Sequence, residues 1–179
     1  VNQASRYNHW EVDELVYLDI SRVGGYDLRR DDHKVSSYNS IEDIIKRISK
    51  VCFMPLAFGG GIRTMEDVDV RIQNGADKII INTKALLDPS FIGKIANKYG
   101  SQAVVVSIDY KKIDGGAIVY KDFAKESTGL TLKEWAIRCK EEGAGELFLN
   151  AIDRDGKGNG FDTQNIEMVC QSVNLPVVA

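Results

Sequence analysis

LAFGGGIRTMEDVDVRIQNGADKIIINTKAL, residues 56–86, carries the alternation from which the rest of the fold is read. A short apolar run at 54–58 leads into Gly59, Gly60 and Gly61; a helical pattern follows; a second β-branched run at 78–81 ends at Asn82 and Thr83. The order is therefore strand, glycine turn, helix, strand, polar turn, helix. Glycines at the C-terminal end of a strand let backbone N–H groups approach a ligand closely, and Asn82 and Thr83 put side-chain donors just ahead of the next helix. In a parallel sheet both turns fall on the same rim, so Gly61, Asn82 and Thr83 are candidate phosphate-binding residues. The plainer alternative is a tight turn at the glycines and an ordinary helix cap at Asn82 or Thr83.

The bulk properties narrow the classes. With 179 residues and 44% hydrophobic content the chain is expected to form a single domain over 1–179 with a real core. Lys and Arg total 23 against 26 for Asp and Glu, a net charge of −3 without a basic run. That balance argues against nucleic acid or a membrane surface as partner. Cys52, Cys139 and Cys170 are odd in number and widely spaced, which indicates neither a disulfide framework nor a zinc site and fits a reducing cytoplasm. No apolar run approaches transmembrane length. The chain opens at Val1 without Met and stops in the strand-like LPVVA, so it reads as a piece of a longer protein with elements missing on both sides.

Along the chain, residues 14–20 (ELVYLDI) form an apolar run expected to be a strand covered on both faces, followed by a long charged loop at 21–39. Ser40 is placed to cap a helix with Ile41, Ile44, Ile45 and Ile48 on one face. A helix over 64–74 is expected to stop at Gly75, and one opening at Pro89 to stop at Gly100. Residues 103–109 (AVVVSID) make a buried strand. Two β-leaning pieces around Asp114, Gly115 and Gly116 read as an inserted hairpin. Leu132, Trp135, Ala136 and Cys139 stripe a further helix; 146–152 is a strand, 163–173 a helix, and 176 onward another strand.

Strands and helices alternating at this spacing define an α/β protein with a parallel sheet, either doubly wound or a barrel. An internal echo favours the barrel: DELVYLDIS at 13–21 resembles GELFLNAID at 145–153, and FMPLA at 53–57 resembles NLPVVA at 174–179. A complete (β/α)8 barrel takes about 250 residues. The expectation is thus a partial (β/α)8 TIM barrel, strands two to seven, lacking the first strand and the last unit.

GGGIRTMEDV, NGADKIIINTKAL, SQAVVVSIDYKKIDG, GAGELFLNAIDRDGKGNGFD and NLPVVA resemble the cyclase subunit family of imidazole glycerol phosphate synthase, over nearly all of the chain from Asp13. The resemblance implies a (β/α)8 barrel fed with ammonia by a glutaminase partner. It also implies a bis-phosphorylated substrate, a phosphoribulosyl-formimino aminoimidazole carboxamide nucleotide, and no cofactor. By this resemblance Gly61, Asn82 and Thr83 help bind one phosphate, and Asp109 is one of two catalytic aspartates, its partner belonging to the first strand. Asp155 and Gly156 line the substrate site opposite. Glu14, Lys78 and Glu146 match charged residues that ring the ammonia entrance at the other mouth of the barrel, although charges at strand bottoms are often solvated ends or stabilising pairs.

Independently of resemblance, Asp109 closes a buried strand on the rim where the phosphate turns lie, and carboxylates set apart by their surroundings can exchange protons with a substrate. The plainer alternative is an Asp that only receives loop N–H groups. His9 and His33 lie away from strand ends. DRDGKGNGFD fails as a calcium loop, because Lys157 and Gln164 stand where acidic ligands are needed. Nucleotide hydrolysis lacks its motif, and Gly158 with Gly160 suits a lid. Three departures from the family stand out: the loop Arg22 to Ser37 is longer and more charged, Phe123 replaces a small polar residue, and Asn150 replaces a hydroxyl. Such changes resemble paralogous cyclase-like proteins that supply ammonia for amidination of surface-polysaccharide sugars. A phosphoribosyl isomerase of the sister barrel family and a non-catalytic barrel that activates a glutaminase are the other readings.

Overall fold

The computed structural model describes residues 2–20, 40–114, 116–122 and 125–179; the expectations for the loop Arg22 to Ser37, for His33 and for Phe123 lie outside the described residues. The chain divides into two compact units, Val1–Ile79 and Ile80–Ala179.

In the first unit, α1 (Asn2–His9) is followed by β1 (Leu15–Leu18), α2 (Ile41–Ser49), β2 (Leu56–Gly59), α3 (Met65–Gln73) and the start of β3 (Lys78–Ile81). Strands β1 and β2 pair in parallel, with Tyr17 opposite Phe58. Their rings stack at 4.9 Å and 18°. Strand β2 is buried throughout. Strand β1 departs from the expectation that both its faces are covered: its burial alternates, and Val16 and Leu18 are 37% and 42% exposed.

The two helices of this unit are set by their ends. Ser40 Oγ accepts the N–H of Asp43 at 3.3 Å and opens α2, whose Ile44, Ile45 and Ile48 are buried. Thr64 and Asp67 form a reciprocal capping box at the start of α3. At its end Gly75, at φ +113°, lets its own N–H reach the carbonyl of Ile72 at 3.1 Å and that of Ala76 reach Arg71 at 3.1 Å. This left-handed termination turns the chain sharply into β3. There the N–H of Asp77 bonds the Leu56 carbonyl at 2.9 Å, and its carboxylate accepts the Leu56 N–H at 2.8 Å.

The second unit holds the rest of β3, α4 (Thr83–Leu87), α5 (Ser90–Tyr99), a 3-10 turn at Ser101–Ala103, β4 (Val104–Ile113), β5 (Gly116–Lys121), β6 (Glu126–Thr131), α6 (Leu132–Glu141), β7 (Glu146–Ala151), α7 (Thr163–Ser172) and β8 (Val177–Val178). Strand β4 is its axis. It runs parallel to β7, from Val105 opposite Glu146 to Tyr110 opposite Ala151, and β7 runs parallel to β8. Beyond Asp109 the same strand continues outward and turns antiparallel into β5. The expected hairpin is thus present, with a third antiparallel strand, β6, added to it. Its polar sequence, ESTGLT, shows no alternation of apolar residues, so the strand forms through pairing with β5 rather than through burial.

Helix α6 buries Leu132, Trp135, Ala136 and Cys139, and α5 buries Phe91, Ile92 and Ile95. Fully burying the larger of these, Leu132, Phe91, Ile92 and Ile95, contributes on the order of 1.5–3 kcal/mol each. Parallel strands alternating with helices make the class α/β, and the βα repeat is that of a partial (β/α)8 barrel. No helix among the described residues is long and apolar enough to cross a membrane.

Candidate active site

Asp109 sits at the point where β4 leaves the core and enters the hairpin. Its two carboxylate oxygens accept from two different amides. Asn82 Nδ2 donates to Oδ2 at 3.0 Å, and Asn150 Nδ2 donates to Oδ1 at 2.9 Å. Asn150 is the residue directly opposite Asp109 in the parallel pairing of β4 with β7. Asn82 comes from the turn after β3, where it precedes the first residue of α4, Thr83. Its side chain makes no cap to that helix. The plainer alternative of a helix cap at Asn82 is therefore not what its amide does; the NH2 is turned onto Asp109. That rotation leaves Asn82 Oδ1 buried and without a hydrogen-bond partner among the described residues. Leaving a buried acceptor unmet costs about 1–3 kcal/mol, a cost that a donor on a bound molecule would remove.

The next residue on β4, Tyr110, points to the other face and is 1% exposed. Burial pushes its phenol far above the usual tyrosine range. The nearby negative charges of Asp162 and Asp153 add to that, against a smaller opposite pull from Arg154. Asp162 is itself buried and accepts from Asn165 Nδ2 at 2.6 Å. Between Asp153 and Asp162 lies the loop that carries Asp155 and Gly156. Asp155 is exposed, its N–H bonding the Ala151 carbonyl at 2.9 Å. Gly156, at φ +71°, faces open space. Arg154 Nη1 reaches the Phe161 carbonyl at 3.1 Å and draws the two ends of this loop together.

In the first unit the glycine turn is backed by a residue that sequence reading passed over. Arg71, on α3 and 5% exposed, donates from Nη2 to the Gly60 carbonyl at 2.9 Å and from Nη1 to the Asp67 carbonyl at 2.8 Å. Its guanidinium lies 5.7 Å from the centre of the Phe58 ring. Gly61 follows at φ +64°, a left-handed conformation that only glycine adopts readily. The one clue in the sequence is an arginine on the inner face of a short helix, four residues after the capping Asp67.

At the start of the strands, Lys78 Nζ lies 2.7 Å from Glu14 Oε2, a half-buried pair with side chains 21% and 24% exposed. Glu146 opens β7 and is buried.

The parallel βα repeat is that of the (β/α)8-barrel class, whose active sites lie at the C-terminal ends of the strands. The comparison with known proteins is specific. The chain belongs to the histidine biosynthesis protein family, which it matches over residues 1–179. It is 41% identical, over its whole length and 67% of the relative, to the imidazole glycerol phosphate synthase subunit HisF of Chlorobium luteolum. It is also 41% identical over the same shares to that of Chlorobaculum tepidum, and 37% identical to that of Dehalococcoides mccartyi, covering 66% of it. The chain thus spans about two thirds of the length of these curated relatives.

Proposed function

We propose that this chain is the cyclase component of an imidazole glycerol phosphate synthase. In this reading it takes ammonia from a glutaminase partner and converts the phosphoribulosyl-formimino aminoimidazole carboxamide nucleotide into imidazole glycerol phosphate and an aminoimidazole carboxamide ribotide. The observation that carries the proposal is Asp109, whose carboxylate is held by Asn82 and Asn150 where the strand leaves the core. Adding ammonia and closing a ring both require protons to be taken from nitrogen and delivered to a departing group, which a fixed carboxylate can do. The buried Asn82 Oδ1, without a hydrogen-bond partner among the described residues, supports a substrate N–H or O–H arriving beside it.

Gly61 in one unit, and Asn82 with Thr83 in the other, each offer donors of the kind a phosphate accepts. Asp155 and Gly156, on an exposed loop, are assigned to the rest of the substrate. Glu14, Lys78 and Glu146 are assigned to the ammonia entrance; the close Glu14–Lys78 pair supports a shaped charge arrangement there. The working compartment in this reading is the cytoplasm.

One observation favours a second reading, in which the ammonia serves amidination of a surface-polysaccharide sugar. An amide, Asn150, stands beside Asp109 where the resembling family carries a hydroxyl. Product analysis with each substrate separates the two.

The test is Asp109→Asn, assayed with ammonium salt so that the glutaminase does not enter. Loss of a proton-transfer group lowers kcat by about 10²- to 10⁴-fold. A kcat within a few-fold of the parent, with the fold intact, would make Asp109 structural and overturn the assignment.

A further inference from the structure

We infer that Asn150 is a positioning residue for Asp109: its amide fixes the plane in which the carboxylate meets the substrate. The inference rests on the reading of Asp109 as the proton-transfer group, and adds a residue that the sequence marks only as a departure from its family.

Asp109 and Asn150 are directly paired across β4 and β7. In a parallel sheet such partners project to the same side from strands about 4.8 Å apart. Asp and Asn side chains are of equal length and nearly equal shape, so their ends meet side by side, with Nδ2 2.9 Å from Oδ1. A hydroxyl on Cβ at this position would end one bond short of that reach. It could not touch the same oxygen without movement of the strand or an intervening water. The amide is therefore the side chain that makes this contact directly.

The second amide makes the contact directional. A carboxylate held at one oxygen still turns about its Cβ–Cγ bond. Held at Oδ1 by Asn150 and at Oδ2 by Asn82, it has no such freedom. An ionised carboxylate offers about four lone-pair directions, so two amide donors leave further directions on the same oxygens open to a substrate. Asn82 also sits in the turn that would carry the phosphate donors, whereas Asn150 lies in the strand itself. Asn150 is thus the fixed half of the clasp. The cost of losing orientation is large, since a misplacement of about 1 Å can lower a rate by roughly 10²-fold.

The experiment is Asn150→Leu, close in volume and without a donor, measured with ammonium salt and the phosphoribulosyl-formimino nucleotide, alone and combined with Asp109→Asn. We expect kcat for Asn150→Leu to fall about tenfold or more with KM within about twofold, the pattern of an interaction used in the transition state. In the Asp109→Asn background the same substitution should cause almost no further loss, because residues that act through each other are not additive. Thermal unfolding of each variant distinguishes a collapsed fold from a misplaced group. A kcat for folded Asn150→Leu within about threefold of the parent overturns the inference, as does an equal loss in both backgrounds. An active Asp109→Asn protein overturns the Asp109 assignment itself, so failure of the two readings is told apart.

Discussion

A Cβ placed on Gly60 would overlap the carbonyl oxygen of Asp19. The end of β1 and the glycine turn after β2 are in backbone contact there, since the N–H of Asp19 also bonds the Gly59 carbonyl at 2.9 Å. Gly60 is at φ +96°, so both the space and the conformation require glycine. Gly60→Ala should therefore destabilise the protein by about 2 kcal/mol or more. Among the described residues a Cβ on Gly61 meets only the Arg71 guanidinium, at 3.5 Å, so Gly61→Ala should lose roughly 1 kcal/mol, from its left-handed backbone alone. Urea unfolding of the two variants checks the order; equal costs would contradict it.

Lys78→Ala removes the partner of Glu14 at the start of the strands. If the pair shapes the ammonia entrance, turnover driven by glutamine through the glutaminase should fall well below turnover fed by ammonium salt. The same loss in both assays would reduce the pair to a structural one.

Tyr110→Phe removes a buried hydroxyl beside the buried Asp162. The expected loss is about 1 kcal/mol. The loop from Asp153 to Asp162 should also be cut faster by protease around Gly158, which has open space about it. In the parent, an alkaline absorbance titration should leave Tyr110 neutral well above the usual tyrosine range. A complete titration below the unfolding pH would show that Tyr110 is not held as described.

Asp67 accepts the N–H groups of Arg63 and Thr64, each at 2.9 Å. Burial alone would raise its pKa, but these bonds, the Thr64 hydroxyl and the Arg71 charge outweigh it and hold the carboxyl below the usual aspartate value. A carboxylate lowered on folding stabilises the fold above its unfolded pKa and loses that contribution as pH falls through the folded one. Asp67→Asn should therefore be less stable than the parent at neutral pH, and the gap should close in acid below the ordinary Asp range. Thermal melts across that window decide it, and a gap that is constant with pH would refute the carboxylate's role.

Helix ends were the most legible part of the sequence, because their chemistry is local. Ser40, Gly75 and Gly100 each act within a few residues of where they stand. The stripe Leu132, Trp135, Ala136 and Cys139 was readable for a similar reason, since one helix face fixes its own period. Strand β6 was not, because its order comes from β5 and not from its own polar residues. The open face of β1 was hidden by an unbroken apolar run. In the site, Asp109 could be picked out by its place at a strand end. Its two amides could not, because Asn82 reads as a phosphate donor in a polar turn and Asn150 as a simple replacement. Arg71 was missed because its hydrogen bonds run to backbone carbonyls, which leave no pattern in the sequence.

The two amides that grip Asp109 come from 27 and 41 residues away, whereas the capping boxes close over three. Contacts between distant parts of a chain form only after the loop between them has been closed, and they slow folding accordingly. In a refolding chain the helices therefore take shape early, and the clasp on Asp109 is completed only when β4 and β7 come into register. Proton-transfer competence would then be among the last properties to appear, and a slip of a single residue in that pairing would give a folded-looking sheet with Asp109 and Asn150 on opposite faces.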